Sequence, residues 1–209
     1  MNSIGVVAER NSAVVLVFPR KILESIGEFQ GYSLEIDKYL DVVLHPKNNF
    51  LISGDVAEKN PEYKQIISYV VLRFGQQVFT YSRGMSSHEA RLIGMRSLGL
   101  GGHIAETDAA SLTADRRSYQ LAVQREISEE VVINTPYSDK IVAVINDDSD
   151  DVGRVHFGIL HIYTLTEPKV YARGQETADG SFIALEKLKT VLPEFESWSR
   201  IAMPVLAMS

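Results

Sequence analysis

Arg125-Glu126-Ile127-Ser128-Glu129-Glu130 is the stretch that decides the fold, and it lies within a run of helix-forming residues at 118–132. A helix there places Glu126, Glu129 and Glu130 at positions i, i+3 and i+4, on one face and about one turn apart. Like charges at this spacing repel each other by roughly a few tenths of a kcal/mol per pair. A divalent cation that bridges the carboxylates would replace repulsion with binding, so the stretch is a candidate metal site.

The simplest alternative is an acidic helix face in water, with Arg125 paired to Glu129 four residues later. Spacing alone does not exclude that alternative. The chain contains no cysteine, so oxygen or imidazole must hold any metal. Carboxylate ligands favour Mg²⁺ or Mn²⁺ over Zn²⁺.

The wider sequence resembles the Nudix box, G-x5-E-x7-R-E-U-x-E-E-x-G-U, in which U is an aliphatic residue. Gly102 matches the first glycine, residues 125–130 match R-E-U-x-E-E, and Ile133 matches the final U. The resemblance implies an α/β fold, the Nudix α/β/α sandwich with a mixed β-sheet between helices. It also implies a metal-dependent hydrolase that cleaves a diphosphate linkage in a nucleoside diphosphate derivative or a similar small diphosphate.

The resemblance implies a role for each acidic side chain. Glu129 and Glu130 would be metal ligands, and Glu126 would be a further ligand or the base for the attacking water. Arg125 would orient the glutamates through charge-assisted hydrogen bonds without touching substrate. Many Nudix proteins add an acidic residue from a loop before a late strand, and Glu176 is the candidate here for a fourth metal ligand.

The box of this chain departs from the family pattern in its loop. Gly102 lies 23 positions before Arg125, where the pattern has 14, which implies about nine extra residues, placed within 106–116. A surface loop tolerates such an insertion at little cost in free energy. Arg117 occupies the position eight before Arg125, where the pattern has Glu, so one carboxylate is missing unless a neighbour folds back. The candidates for that replacement are Glu106, Asp108 and Asp115.

The glycine-rich segment at the start of the box supplies candidate substrate-binding residues. Gly101, Gly102 and His103 resemble the Gly-Gly-His wording of the isoprenoid-isomerase branch of the superfamily, and glycines let backbone approach a ligand closely. We expect these three residues to contact substrate. Tyr81 and Arg83 are placed in the same pocket on sequence position alone.

Other polar residues are interpreted as structural. His156 and His161 lie five residues apart on a predicted strand, so they face opposite sides of it and cannot readily share a metal. Four aspartates lie in the turn at residues 146–151, but their spacing matches no calcium loop and favours a solvated turn.

Two alternatives to the hydrolase remain open. The first is a Nudix-like module that binds a nucleotide without catalysis, because Arg117 and Val132 replace the Glu and the second Gly of the box. Retention of three mutually repelling glutamates argues against it. The second is an isomerase of isoprenoid diphosphates, which is disfavoured because the cysteine used by that branch has no counterpart in this chain.

Composition narrows the partners. The 27 acidic residues exceed the 21 basic residues, and a formal charge of -6 disfavours binding to a nucleic acid backbone. The apolar run at residues 13–18 is too short to span a bilayer. We expect a cytoplasmic protein that binds a small-molecule diphosphate and neither nucleic acid nor membrane. No motif fixes the substrate, the metal stoichiometry or the oligomeric state.

Predicted strands and helices alternate along the chain, which favours a mixed sheet covered by helices in a single domain over residues 1–209. Residues 102–133 form the loop and helix of the box. Residues 1–60 form an N-terminal extension that adds strands, acts as a lid or makes a homodimer interface. The predicted strands lie at 4–8, 13–18, 65–74, 77–81, 140–145, 155–165 and 181–185, and the other predicted helices lie at 20–26, 186–191 and 194–206.

Overall fold

The computed structural model describes residues 13–83, 94–108, 113–173, 177 and 179–208. Their strands are β1 (Val14–Pro19), β2 (Gly31–Ser33), β3 (Phe50–Ser53), β4 (Tyr63–Phe74), β5 (Gln77–Ser82), β6 (Arg96–Ser97), β7 (Gly99–Leu100), β8 (Val131–Ile133), β9 (Tyr137–Asn146), β10 (His156–Leu165), β11 (Val170–Ala172) and β12 (Ser181–Ala184). Their helices are α1 (Arg20–Ile26), α2 (Ile36–Val43), α3 (Gly54–Ala57), α4 (Arg116–Glu130), α5 (Leu185–Val191) and α6 (Ser197–Met208). None of these helices is long and apolar enough to cross a membrane.

One mixed sheet organises the molecule, in the order β12-β5-β4-β10-β9-β2. β4 and β10 run parallel at its centre, while β10 is antiparallel to β9. Nearly every residue of β10 is buried, as expected of a strand that is covered on both faces. β7 pairs with β4, which brings the glycine-rich segment onto the central strand.

Helices cover both faces of the sheet, and each face has its own apolar core. On one face α2 and α4 contribute buried side chains such as Tyr39 and Tyr119. On the other face α5 and α6 contribute Leu188 and Trp198 among others. The predicted α/β/α sandwich with a mixed sheet between helices is therefore confirmed.

The N-terminal region contributes strands to the same sheet. β1 pairs antiparallel with both β3 and β4, and β2 pairs antiparallel with β9. Of the roles considered for residues 1–60, the described part therefore matches the addition of strands. The predicted strand at residues 4–8 lies outside the described residues.

Local predictions are confirmed where turn chemistry marks the ends of an element. The hairpin at residues 65–81 is β4 and β5, and Gly75 makes its turn with φ of 55°. The helix predicted at residues 20–26 is α1.

The predicted end of the central helix is wrong. α4 begins at Arg116, ends at Glu130 and passes directly into β8, which pairs with β11. The reason is the run Val131-Val132-Ile133, because β-branched residues favour a strand. Val131 already has an extended backbone with φ of -142° and ψ of 158°. A chain that leaves the helix in this way needs no glycine at position 132.

Candidate active site

Helix α4 carries the acidic stretch and is fixed at its beginning and along one side. Asp115 caps it, since its Oδ1 accepts a hydrogen bond of 2.9 Å from the backbone N–H of Ser118. Tyr119, Val123 and Ile127 are buried in the core below the helix. This packing leaves the glutamates at the C-terminal end of α4, beside the loop that follows β7.

The helix glutamates meet the turn formed by Gly101 and Gly102, the glycine turn of the box. The backbone N–H of Gly101 donates a hydrogen bond of 3.2 Å to Oε2 of Glu130. A Cβ atom added to Gly102 would lie 2.7 Å from Oε2 of Glu126. Glu126 and Glu130 therefore face the same turn, whereas the side chain of Glu129 is 58% exposed. The three carboxylates predicted to act together are gathered at one end of α4.

Gly101 is required by the packing of the turn itself. Gly101 has φ of 121°, and a Cβ there would lie 2.4 Å from the carbonyl oxygen of Ser68 on β4. The backbone N–H of Ser68 donates a 3.0 Å hydrogen bond to the carbonyl oxygen of Gly102. These contacts hold the turn between β4 and α4, with no room for a side chain at Gly101.

Arg125 is bound on several sides by protein groups. Its Nε and Nη2 donate hydrogen bonds of 2.8 and 2.7 Å to the two carboxylate oxygens of Asp108. Its Nη2 also donates to the carbonyl oxygen of His103 at 3.1 Å. Nη1 lies 2.9 Å from Glu126 and 3.3 Å from Glu129. The arginine thus links the loop, the turn and the two glutamates.

Asp108 is the carboxylate that folds back onto the box. It is six positions after Gly102, which is the position of Glu when the pattern G-x5-E is counted forward. Its side chain is 5% exposed and paired with Arg125, whereas Asp115 caps α4 and Arg117 is exposed. The extra residues of the loop therefore follow Asp108. Counting the pattern backward from Arg125 instead assigns its Glu position to Arg117.

Burial and the charge of Arg125 act in opposite directions on the pKa of Glu126. Burial raises the pKa of its carboxyl group, the charge and hydrogen bond of Arg125 lower it, and the nearby charges of Glu129 and Asp108 raise it again. The net shift is upward. Several carboxylates that share one guanidinium form an electronegative site made only of oxygen donors, which fits a hard divalent cation such as Mg²⁺ or Mn²⁺.

Other predicted residues have varied outcomes. Glu176 lies outside the described residues, although the neighbouring Thr177 donates a 2.9 Å hydrogen bond to the carbonyl oxygen of Glu130. Tyr81 is buried and donates to the carbonyl oxygen of Gly99, so it is not part of an open pocket. Arg83 is committed to an ion pair of 3.0 Å with Glu196. The prediction that Tyr81 lines the substrate pocket is wrong, because its side chain is buried in the core. The same role for Arg83 stays a prediction.

The two strand histidines lie in separate surroundings, as predicted. His161 Nε2 is 2.6 Å from the hydroxyl of Tyr119 on α4, and its Nδ1 is 2.8 Å from Asp139. His156 instead lies near Glu58 and His103. This second grouping is not predictable from the sequence, because its members come from distant segments that no motif connects.

A mixed sheet between helices, with box glutamates that meet a glycine turn, defines the class: the chain belongs to the Nudix hydrolase superfamily. The chain is 32% identical over 203 residues to protein YmaB of Bacillus subtilis (strain 168), and the alignment covers 92% of this chain and 97% of YmaB. Identity at this level over nearly the full length of both shows that they belong to one family. No protein-family model matches the chain.

Solved structures share the fold. The crystal structure of Tm1382, a proposed Nudix hydrolase, has a TM-score of 0.77 and 28% identity, covering 94% of this chain and 100% of Tm1382. A bifunctional NMN adenylyltransferase/ADP ribose pyrophosphatase from Francisella tularensis, complexed with AMP and a Mn ion, has a TM-score of 0.50 at 17% identity. That match covers 69% of this chain and 41% of the bifunctional protein, and it shows the fold alone.

Proposed function

We propose that the chain is a divalent-metal-dependent hydrolase that cleaves a diphosphate linkage in a nucleoside diphosphate derivative or a similar small diphosphate. The observation that carries this proposal is the convergence of Glu126 and Glu130 on the glycine turn. Arg125 pairs with Glu126 and is itself fixed by two hydrogen bonds to the carboxylate of Asp108. Such fixed placement of charged groups is what metal-assisted phosphoryl chemistry requires of a protein.

Glu129 and Glu130 are the proposed ligands of Mg²⁺ or Mn²⁺, and Glu126 is a further ligand or the base that takes a proton from the attacking water. A bound cation supplies charge stabilisation to the diphosphate and lowers the pKa of a coordinated water. Arg125 keeps Glu126 and Glu129 in position from within the protein. Because its donors already have protein partners, Arg125 acts as a positioning residue.

The substrate is proposed to lie against the glycine turn, in contact with Gly101, Gly102 and His103. Glu176 is the proposed fourth ligand, and the contact of its neighbour Thr177 with Glu130 supports that choice. The chain is proposed to work as a single domain, because strands of its N-terminal region are hydrogen-bonded into the same sheet as β4.

The test is release of phosphate or nucleotide from a panel of nucleoside diphosphate derivatives, ADP-ribose among them, with Mg²⁺ or Mn²⁺. Wild type is compared with Glu130→Gln, and Asp151→Asn is the matched control because its carboxylate is exposed and distant in the chain from the box. We expect metal-dependent turnover in wild type and the control, and its loss in Glu130→Gln. No turnover on any substrate, together with retained nucleotide binding, would instead indicate the Nudix-like module that binds a nucleotide without catalysis.

A further inference from the structure

A second group of metal-ligand side chains lies beside the glycine turn. Glu58 follows α3, His103 follows Gly102, and His156 begins β10. Each offers one ligand atom, and these atoms all lie within 4.8 Å of one another. His156 is 5% exposed, while Glu58 and His103 are half-buried. None of the three ligand atoms comes from α4, the helix that carries the box glutamates.

His156 is held in the orientation that a metal ligand needs. Its Nδ1 is 2.6 Å from the carbonyl oxygen of Val152, and a carbonyl oxygen can only accept a hydrogen bond. The Nδ1 atom therefore carries a proton, and Nε2 is directed at Oε1 of Glu58, 3.2 Å away. Metal-bound histidines are commonly fixed in this way, with the second ring nitrogen donating to a backbone carbonyl.

Gln65 supports the same group from the neighbouring strand. Gln65 and His156 are directly paired across β4 and β10. The amide nitrogen of Gln65 donates a 2.8 Å hydrogen bond to Oε1 of Glu58 and so anchors the carboxylate. Its amide oxygen is buried and has no hydrogen-bond partner among the described residues. A buried oxygen in that condition costs free energy, and a cation or its bound water would satisfy it.

We propose that Glu58, His103 and His156 bind a first-row transition-metal ion of the Zn²⁺ type. Two imidazoles and one carboxylate suit Zn²⁺, Ni²⁺ or Co²⁺ better than Mg²⁺, which prefers oxygen ligands alone. Three protein ligands leave a fourth position for water. The ion fixes His103, whose carbonyl oxygen accepts from Arg125, and thereby ties the glycine turn to α4.

The chain contains its own reporter for this site. Trp198 is its only tryptophan, and the indole ring centroid lies 6.5 Å from that of His156. Ni²⁺ and Co²⁺ have partly filled d shells and quench a nearby indole, whereas Zn²⁺ has a filled shell. The experiment is therefore a Ni²⁺ titration of tag-free, chelator-treated protein, followed by Trp198 fluorescence in excess Mg²⁺. Zn²⁺ is then added to displace Ni²⁺.

We expect saturable quenching in wild type and recovery of fluorescence on addition of Zn²⁺. His156→Gln and His103→Gln should each weaken Ni²⁺ binding by at least about tenfold, since loss of a ligand costs no less than loss of a supporting group. His45→Gln is the matched control, because His45 is exposed, and Glu130→Gln should also bind as wild type. Circular dichroism verifies that both ligand variants fold.

Two results would overturn the proposal. One is the absence of quenching in wild type, which would leave the three side chains as a hydrogen-bonded cluster only. The other is equal quenching in wild type and in folded His103→Gln, which would place the ion elsewhere. The titration involves no substrate, so it decides this site independently of the proposed hydrolase activity.

Discussion

The acidic turn at residues 146–151 and the acidic end of α4 differ in the hydrogen-bond donors and cations that their carboxylates contact. In the turn each aspartate has its own donors: Asp148 accepts from Arg20 at 3.1 Å and from Lys64 at 2.8 Å. Asp150 accepts from the backbone N–H of Gly153 at 2.7 Å. The turn therefore satisfies its charge within the protein and fixes the connection between β9 and β10.

At the end of α4, three carboxylates of the described residues share one positive charge. Glu126, Glu129 and Asp108 all pair with the single guanidinium of Arg125. Glu130 adds a further carboxylate against the same glycine turn. The comparison teaches that density of acidic residues does not identify a cation site. Among the described residues, the two regions differ because three carboxylates at α4 share one guanidinium, whereas each aspartate of the turn has its own donors.

The largest expected effect is on catalysis. Glu126→Gln should lower kcat on the hydrolysed substrate by on the order of 1,000-fold, because metal-assisted charge stabilisation is worth several kcal/mol. Without metal, the variant should unfold at no lower urea concentration than wild type, since burial and neighbouring charges already disfavour the ionised carboxylate. Steady-state kinetics and urea unfolding measure the two quantities. A large loss of stability would place Glu126 with the structural aspartates of the turn.

The next effect is at Asp148, where we expect a loss of stability, in contrast to Glu126. Asp148→Asn should lower the free energy of unfolding by about 3 kcal/mol, the lower end of the cost of breaking a buried ion pair. The reason is Lys64, whose side chain is 0% exposed and loses its carboxylate partner. Urea unfolding measures the loss. Replacing Lys64 as well, with Met, should recover part of it, and a stability equal to wild type in Asp148→Asn would contradict the account.

The same carboxylate predicts a dependence on pH. Burial raises the pKa of Asp148, but hydrogen bonds from Arg20 and Lys64 outweigh it and lower the pKa from 3.8 to about 2. A lowered folded-state pKa gives stability that is present above the unfolded value and is lost as pH falls. The stability difference between wild type and Asp148→Asn should therefore narrow between about pH 4 and pH 2. Urea midpoints across that range test this, and a constant difference would argue against the shift.

The smallest effect is expected at the edge of the turn. Asp151 is 81% exposed and pairs with Arg154 three residues later. Asp151→Asn should change the free energy of unfolding by less than about 0.5 kcal/mol, since exposed pairs contribute little. Thermal unfolding is sufficient to measure it. A larger loss would mean that the turn depends on its exposed charges as well as on Asp148.

Local signals in the sequence predicted the parts of the fold that local interactions determine. The helix at 20–26, the hairpin around Gly75 and the helix of the box follow from periodicity and turn residues. The parallel pairing of β4 with β10 was not predictable in this way, because it joins distant segments. The family resemblance supplied the sandwich that contains that pairing.

The residues of the candidate site were predictable where the box is contiguous. The prediction failed where the box is interrupted. Arg125 to Glu130 keep their spacing, and the structure gathers them as expected. Asp108 was only one of three candidates, because the inserted residues separate it from α4 and its pairing with Arg125 depends on the loop's path. Glu58 and His156 share no motif with His103, so only the packing of α3, the turn and β10 brings them together.

We infer that the end of α4, and not the acidic turn, holds a divalent cation. Calorimetric titration with Mg²⁺ distinguishes the two regions when it is run on wild type, the double variant Glu126→Gln with Glu130→Gln, and the turn variant Asp150→Asn. We expect saturable Mg²⁺ binding in wild type and the turn variant, and none in the double variant. Undiminished binding in the double variant, or loss of binding in the turn variant, would contradict it.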